Sequence, residues 1–317
     1  MKKVFLVFSL LIAFIVKSNT ASAQYYFFDD DYYDDPFLYE AGVSLNAMNC
    51  LTDMGGNKGI GKTFLKDLNL GKTNISGGVF FNVAYKNAVA LRLEGTFGKI
   101  SGNDNVLAGI TDIAKERFNR NLNFRSYITD INLMLEVHPK YIFIDWPARE
   151  DRPSKYSPYL LGGIGYFSFN PQTKLIGSNA YIDLQPLHTE GQGFPESGKK
   201  DYKLNQINIP MGFGVKHELS PLINLRAEMV YRKTFTDYID DLSTVYADPA
   251  WFDANLTPQK AALAKQLYDR QIDPRTTSGG KRGTVKNNDG FFTFNLKISV
   301  IIGRERFKGA SASNCFR

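Results

Sequence analysis

From residue 88 onward the chain repeatedly alternates apolar and polar side chains with period two, the spacing that sends successive residues to opposite faces of a sheet. In Ala88 to Ile100, Val89, Leu91, Leu93 and Phe97 share one face while Arg92, Glu94 and Thr96 share the other. Tyr127 to His138 sets Ile131, Leu133, Leu135 and Val137 against Asp130, Asn132 and Glu136. Leu222 to Thr236 sets Ile223, Leu225, Ala227, Met229 and Tyr231 against Asn224, Arg226, Glu228 and Arg232, with Val230 as the exception. In Phe291 to Gly303, Phe292, Phe294, Leu296, Ile298 and Val300 oppose Thr293, Asn295, Lys297 and Ser299. Weaker alternation over 38–50, 73–86, 158–169 and 205–219 completes a set of eight predicted strands.

The connections alternate in length. They are short at Lys86-Asn87 and Ser220-Pro221, moderate over 139–157, and long over 51–72, 101–122, 170–204 and 236–289. Bacterial barrels have short periplasmic turns and long external loops. Beyond residue 24 no run of about 18 apolar residues exists to make a spanning helix, which needs roughly 20. The expected class is therefore all-β: an eight-stranded antiparallel transmembrane β-barrel with long, partly helical external loops and both termini periplasmic. A soluble β-sandwich would also alternate, but the polar faces here carry charges rather than Ser and Thr.

Those charges balance. Glu40, Glu94, Asp130, Glu136 and Glu228 face the same side as Arg92, Lys216, Arg226, Arg232 and Lys297. An eight-stranded barrel is just wide enough for side chains to fill, and charges in a low-dielectric interior must be paired. The expectation is a plugged barrel, not a pore. Tyr39, Tyr127, Tyr159 and Tyr231 suit interfacial girdles, although strand propensity explains tyrosines almost as well. Two loops read as partly helical. Asp104 to Arg120 carries a stripe of Val106, Leu107, Ile110, Ile113 and Ala114, and Thr257-Pro258 opens a run to Ile272 with a sound helix start. These helices are expected over the barrel mouth or on a partner.

The N-terminal pattern adds export. Lys2 and Lys3, an apolar run from Val4 to Val16 and Ala21-Ser22-Ala23 form a secretory signal over 1–23, with no cysteine at the cleavage point to acylate. An acidic, aromatic arm follows over 24–37, then the barrel over 38–303 and a basic periplasmic tail over 304–317. The arm lacks a strand or helix period, and it suits a partner's basic groove as well as it suits a spacer. The formal charge of +6 includes Lys2, Lys3 and Lys17, so the mature chain is only mildly basic and nucleic acid is not an expected partner. Cys50 and Cys315 are too few for a disulfide framework, and the topology puts them at opposite ends of the barrel.

Candidate chemistry is sparse. Gly56-Asn57-Lys58-Gly59-Ile60-Gly61-Lys62-Thr63 matches the phosphate-cradling pattern, but such a loop needs a buried strand before it and a helix after it. Asp67, Asn69 and Gly71 break the following segment, and export removes the chain from the nucleotide pool. A glycine-rich external loop is the expected reading. His138, His188 and His217 lack zinc spacing and are expected at interfaces or in loops. Asp237, Asp240 and Asp241 cluster without the spacing of a calcium loop, and a solvated or partner-facing acidic segment is expected. No catalytic residue, cofactor site, metal site or small-molecule substrate is expected, so the chain reads as a non-enzyme.

Several segments resemble a known family. Asn49 to Lys62, Lys66-Asp67-Leu68-Asn69-Leu70 and above all Arg232-Lys233-Thr234-Phe235-Thr236-Asp237-Tyr238-Ile239-Asp240-Asp241-Leu242-Ser243 look like the PorG-like outer-membrane proteins of Bacteroidota, and a tail ending near Cys315 fits. The resemblance implies a small barrel of the type IX secretion and gliding machinery, a structural part in outer-membrane lipid that positions a periplasmic ring of PorK and PorN type. Arg304, Arg306, Lys308 and Arg317 of the tail are then expected to contact that ring, since basic tails dock on acidic surfaces. The alternative is a surface-exposed binding or adhesion barrel working through loops 170–204 and 236–289. A barrel hydrolase would need an external Ser-His pair, with His188 as its histidine.

Overall fold

The computed structural model describes residues 36–54, 70–107, 113–142, 155–175, 177–284 and 288–303. The strands are β1 (Phe37–Leu51), β2 (Asn74–Tyr85), β3 (Val89–Asn103), β4 (Asn123–Val137), β5 (Tyr156–Lys174), β6 (Tyr181–Asp183), β7 (Asn205–Ser220), β8 (Ile223–Thr234) and β9 (Gly290–Ile302). The helices are α1 (Ile113–Arg120), α2 (Pro139–Ile142), α3 (Pro249–Asn255) and α4 (Pro258–Leu267). Around the wall the order is β4, β3, β2, β1, β9, β8, β7, β5, and pairing of β4 with β5 closes it. Every neighbour is antiparallel, and β1 seals against β9 from Tyr39↔Ile302 to Leu51↔Gly290. The short β6 extends β5 above the wall.

Closure removes the unpaired edges that an open sheet would expose, and within lipid no water could satisfy them. Alternation then sorts the side chains. Leu91, Leu93, Ile131, Leu133, Leu135, Phe213, Leu296 and Ile298 point outward and are exposed, whereas Arg92, Glu94, Asp130, Asn132, Glu136 and Lys297 point inward and are buried. The outward residues form an apolar belt; the lumen is polar. Val230, the break in its strand's alternation, faces inward and packs with Met134, Tyr159 and Leu161.

The four long connections leave one end of the barrel, the loop end, and the short ones leave the other, the turn end. At Lys86-Asn87 both residues take left-handed backbone, as a primed turn requires, and Ala88 N–H donates to Tyr85 O at 3.0 Å. The acidic arm was expected to run to residue 37, but Phe37 already belongs to β1, in register with Tyr85. Strand β5 likewise runs on to Lys174, so the loop expected from residue 170 begins later. The expected helix over 104–120 is split into a 3-10 turn, Asp104–Leu107, and α1. The run after Thr257 gives α4, which ends at Leu267.

The belt makes a depth-dependent prediction. Leu133→Arg, midway along the outward face of β4, is expected to cost about 2–4 kcal/mol of stability in bilayers, and Leu219→Arg at the turn-end rim about 0–1 kcal/mol. Urea unfolding in lipid vesicles measures both, and equal costs would contradict the belt.

Candidate functional site

The lumen is organised in layers. At the turn end Leu38, Ala84, Ala90 and Ile301 make an apolar floor. Above it Arg226 donates to Glu40 Oε2 at 2.6 Å and to Glu136 Oε2 at 2.8 Å, while Asn224 and Ser299 donate to Glu40. The next layer centres on Glu228, which accepts from Arg92 Nη1 at 2.8 Å, Tyr159 Oη at 2.6 Å, Asn295 Nδ2 at 2.9 Å and Lys297 Nζ at 2.6 Å. Arg92 also pairs with Glu94 and Glu136, and Lys297 with Glu94. Towards the loop end Arg232 Nε meets Asp130 Oδ2 at 2.5 Å and its Nη1 donates to Thr293 at 2.9 Å. Asn208 donates to the other Asp130 oxygen at 2.8 Å.

Eight of the ten lumen charges read from the sequence thus form one connected network, and Arg232 and Asp130 form a separate pair nearer the loop end. Lys216 is the loosest member, at 3.9 Å from Glu40. Each charge has lost its water, and only pairing with several hydrogen bonds per group compensates for that loss. Two aromatics add to the interior, Phe80, which the sequence reading did not name, and Tyr159, which it placed elsewhere. The Phe80 ring lies 5.0–5.7 Å from Lys297, Arg92 and Arg226, a cation–π arrangement in a dry site. Phe80 could have been found, because Gly78 and Asn82 flank it on the inward phase while Val79 and Phe81 face out. Tyr159 was expected in a lipid-facing girdle; it is buried in the lumen, 5.6–5.7 Å from the same two guanidiniums. Gly214 opposite it leaves the room, since a Cβ there would stand 2.7 Å from the Tyr159 hydroxyl. Tyr39 and Tyr127 do face outward, and Tyr231 is half-buried.

The loop end is closed by a second construction. Met48, Ile100, Phe124, Ile128, Phe167, Phe169 and Phe291 from the wall pack against Met54, Leu122, Tyr202, Ile239 and Leu242 from the loops. Tyr202 stacks on Tyr238 with ring centroids 4.7 Å apart. The segment Thr236–Thr244, part of the last long loop, sits at the centre, and residues of the other three meet it. Asp240 accepts from Met54 N–H at 3.0 Å; Asp241 accepts from Thr189 Oγ1 at 2.5 Å and Tyr202 Oη at 2.7 Å. Glu190 accepts from the backbone N–H groups of Ser243 and Thr244, and Arg282 joins Glu190 to the Asp241 carbonyl at 3.0 and 2.8 Å. Arg120 grips Asp104 through two bonds of 2.8 Å and donates to the Arg282 carbonyl. Further out, α3 and α4 pack with Leu184, Leu187 and Phe194 around a separate small core.

Asp237, Asp240 and Asp241 are therefore buried in the cap, not a solvated or partner-facing segment. Burial pushes the Asp237 carboxyl up to about 8, helped by Asp53 and Glu190, and Asp241 up to about 6 against the pull of Arg282. Asp240 and Asp289 are raised well above the carboxylate range by burial and by their acidic neighbours. His138, expected at an interface or in a loop, is buried at the barrel floor between Glu136 Oε2 at 3.3 Å and Ser157 Oγ at 2.8 Å. His217 stacks on Tyr156 at 4.3 Å on the turn-end rim, and His188 lies in the loop after β6, 3.6 Å from Asp201. Cys50 is a half-buried free thiol. The acidic arm, the phosphate-loop match at 56–63, Cys315 and the tail cations Arg304, Arg306, Lys308 and Arg317 lie outside the described residues.

A closed antiparallel wall with an apolar exterior, a neutralised lumen and a loop-built cap defines a small barrel of the outer-membrane type. The sequence belongs to the family described as "Domain of unknown function (DUF6089)", whose model matches residues 35–248. No curated protein matches it. Among solved structures, Neisserial surface protein A is similar at 9% identity, with 84% of this chain and 96% of that one covered and a TM-score of 0.33. The attachment invasion locus protein Ail of Yersinia pestis, in complex with a heparin analogue, gives 8%, 84%, 97% and 0.32. OprG of Pseudomonas aeruginosa gives 9%, 84%, 92% and 0.33.

Breaking the network at its base tests it. Arg226→Met removes the nearest cation from Glu40 and one of two arginines from Glu136 and is expected to destabilise the barrel by about 3 kcal/mol, whereas Arg275→Met, at an exposed pair with Asp273, stays within about 0.5 kcal/mol. The measurement is denaturant unfolding in micelles, where equal effects would refute a structural role for the pairing.

The cap carries its own pH dependence. The folded pKa of Asp237 stands above its ordinary 3.8, so its contribution to cap stability is complete below about 4 and lost as pH rises through about 8. Hydrogen exchange of 236–244, corrected for intrinsic rates, is expected to slow between pH 9 and pH 6. Asp237→Asn should reduce that slope by its own share and leave the share of Asp240 and Asp289, and an unchanged slope would assign it wholly to those neighbours.

Proposed function

We propose that the protein is a non-enzymatic, structural outer-membrane barrel of the type IX secretion and gliding machinery, holding a periplasmic ring of PorK and PorN type in place beneath the membrane. The observation that carries this reading is that the segment bearing its most specific sequence resemblance, Arg232–Ser243, is the one on which the cap and the upper lumen are built. Arg232 anchors it to Asp130 inside the wall, and Asp240 and Asp241 collect the loops above. A resemblance confined to a mobile loop would say little; this one falls on the residues that shape the molecule.

The filled lumen supports a scaffold over a conduit, since the groups that could line a channel are consumed in pairing with one another. The buried carboxylates and His138 are engaged in the same way, which supports a role without catalysis. On this reading the loops face outward, the turn end and both termini face the periplasm, and contacts with the ring come from the turn-end rim and the tail cations Arg304, Arg306, Lys308 and Arg317.

A second reading, binding at the cell surface through the loops, is favoured by the cap's own apolar core around α3 and α4. One experiment separates the two. A tagged copy purified from detergent-solubilised outer membranes is expected to bring down PorK- and PorN-like proteins by mass spectrometry. A folded barrel recovered without them contradicts the scaffold and favours surface binding.

A further inference from the structure

Most buried arginines of the lumen and cap are matched by an acid; among the described residues Arg117, which donates to the Asp53 carbonyl, and Arg270 are not, and Arg270 lines a cleft. Arg92, Arg120, Arg226, Arg232 and Arg282 each reach a carboxylate. Arg270 is also partly buried, yet among the described residues it reaches none. Its Nη1 donates to Thr173 Oγ1 at 3.1 Å and to the Lys174 carbonyl at 3.2 Å, and its Nε has no hydrogen-bond partner. The acids nearest in sequence and register are engaged elsewhere: Asp269 accepts from Gln271 N–H, and Asp183 accepts from Asn170 and Gln172. Burial with no acid to offset it pulls the Arg270 pKa below its ordinary value.

Arg270 and Lys174 line a cleft of about 420 Å³ together with Asn123, Ser178 and Asn179. Among the described residues Lys174 also forms no ion pair. The Asn123 side-chain oxygen is taken by Thr173 and Lys174 N–H, which leaves its amide N–H groups free to donate. One residue pair lower on the wall, Arg125 lies over the Tyr181 ring at 3.3 Å and near Tyr127, again without a carboxylate. Tyr127 is exposed at the upper edge of the apolar belt. The cleft thus offers two uncompensated cations and neutral donors, at the height where the wall passes from apolar to polar.

We propose that this cleft binds a phosphate ester, with Arg270 and Lys174 supplying the charge and Asn123, Ser178 and Asn179 the neutral hydrogen bonds. A guanidinium presents paired donors that match phosphate oxygens, and a lysine adds a point charge. The ester belongs either to a lipid headgroup lodged against the belt or to a soluble phosphorylated sugar. The site stands independently of the secretion role.

The test uses the full-length barrel in lipid nanodiscs. Retention of lipid A with and without its phosphates is read by native mass spectrometry, and glucose 1-phosphate is titrated by calorimetry. Lys174→Gln, whose charge holds nothing in the fold, is expected to weaken binding on the order of tenfold, as is Arg270→Gln, while Arg275→Gln leaves it unchanged. If Arg270→Gln fails to fold, Lys174→Gln decides alone. Phosphate-dependent lipid retention lost in Lys174→Gln assigns the headgroup, and glucose 1-phosphate binding lost in the same variant assigns a soluble ester. No phosphate-dependent binding in either arm, or binding indifferent to Lys174, overturns the proposal.

Discussion

Ten ionisable side chains buried inside a closed barrel must largely neutralise one another, and much of this structure follows from that constraint. The carboxylates of Glu40, Glu136 and Glu228 and the guanidiniums of Arg92 and Arg226 come from β1, β3, β4 and β8, which lie apart in sequence and are brought together across the lumen by the closed wall. A pairing that is worth little between separate hairpins becomes decisive once the wall excludes solvent, because each charge then lacks any alternative partner. The network therefore specifies register as much as it stabilises: a slip of one residue would turn that strand's lumen charges into lipid and its belt residues into the lumen.

The cap extends the same logic above the wall. Thr236–Thr244 would be an exposed acidic loop if it stood alone. It is buried because Met54, Thr189 and Tyr202 arrive from two other connections, and Arg282 from further along its own, to meet its carboxylates and carbonyls. Ile239 and Leu242 seal the mouth beneath it. The loop end is thus a packed body joined to the barrel, and a change in any one loop acts on the other three through this segment.

How much of this could be read from the chain depends on where each residue's partner lies. The wall was legible because strand phase is local: Arg92 and Glu94 against Leu91 and Leu93 suffice to orient β3. The lumen charges followed from the same phase. Tyr159 did not, since a ring with one hydroxyl suits either face and Gly162, Gly163 and Gly165 blur the alternation of β5. The acids of the cap were misread for a different reason. Their neighbours in sequence suggested solvent, while their actual partners lie tens to nearly two hundred positions away. The uncompensated Arg270 is likewise invisible in sequence, being defined by the carboxylate that is not beside it.

Side chains fill this barrel and loops close it, an arrangement that suits a support better than a passage. Single-channel recording of the purified protein in planar lipid bilayers tests that claim most directly. A membrane that stays at baseline conductance across the voltage range, with insertion verified independently, is the predicted result. Discrete, persistent conductance steps from the intact protein would contradict it.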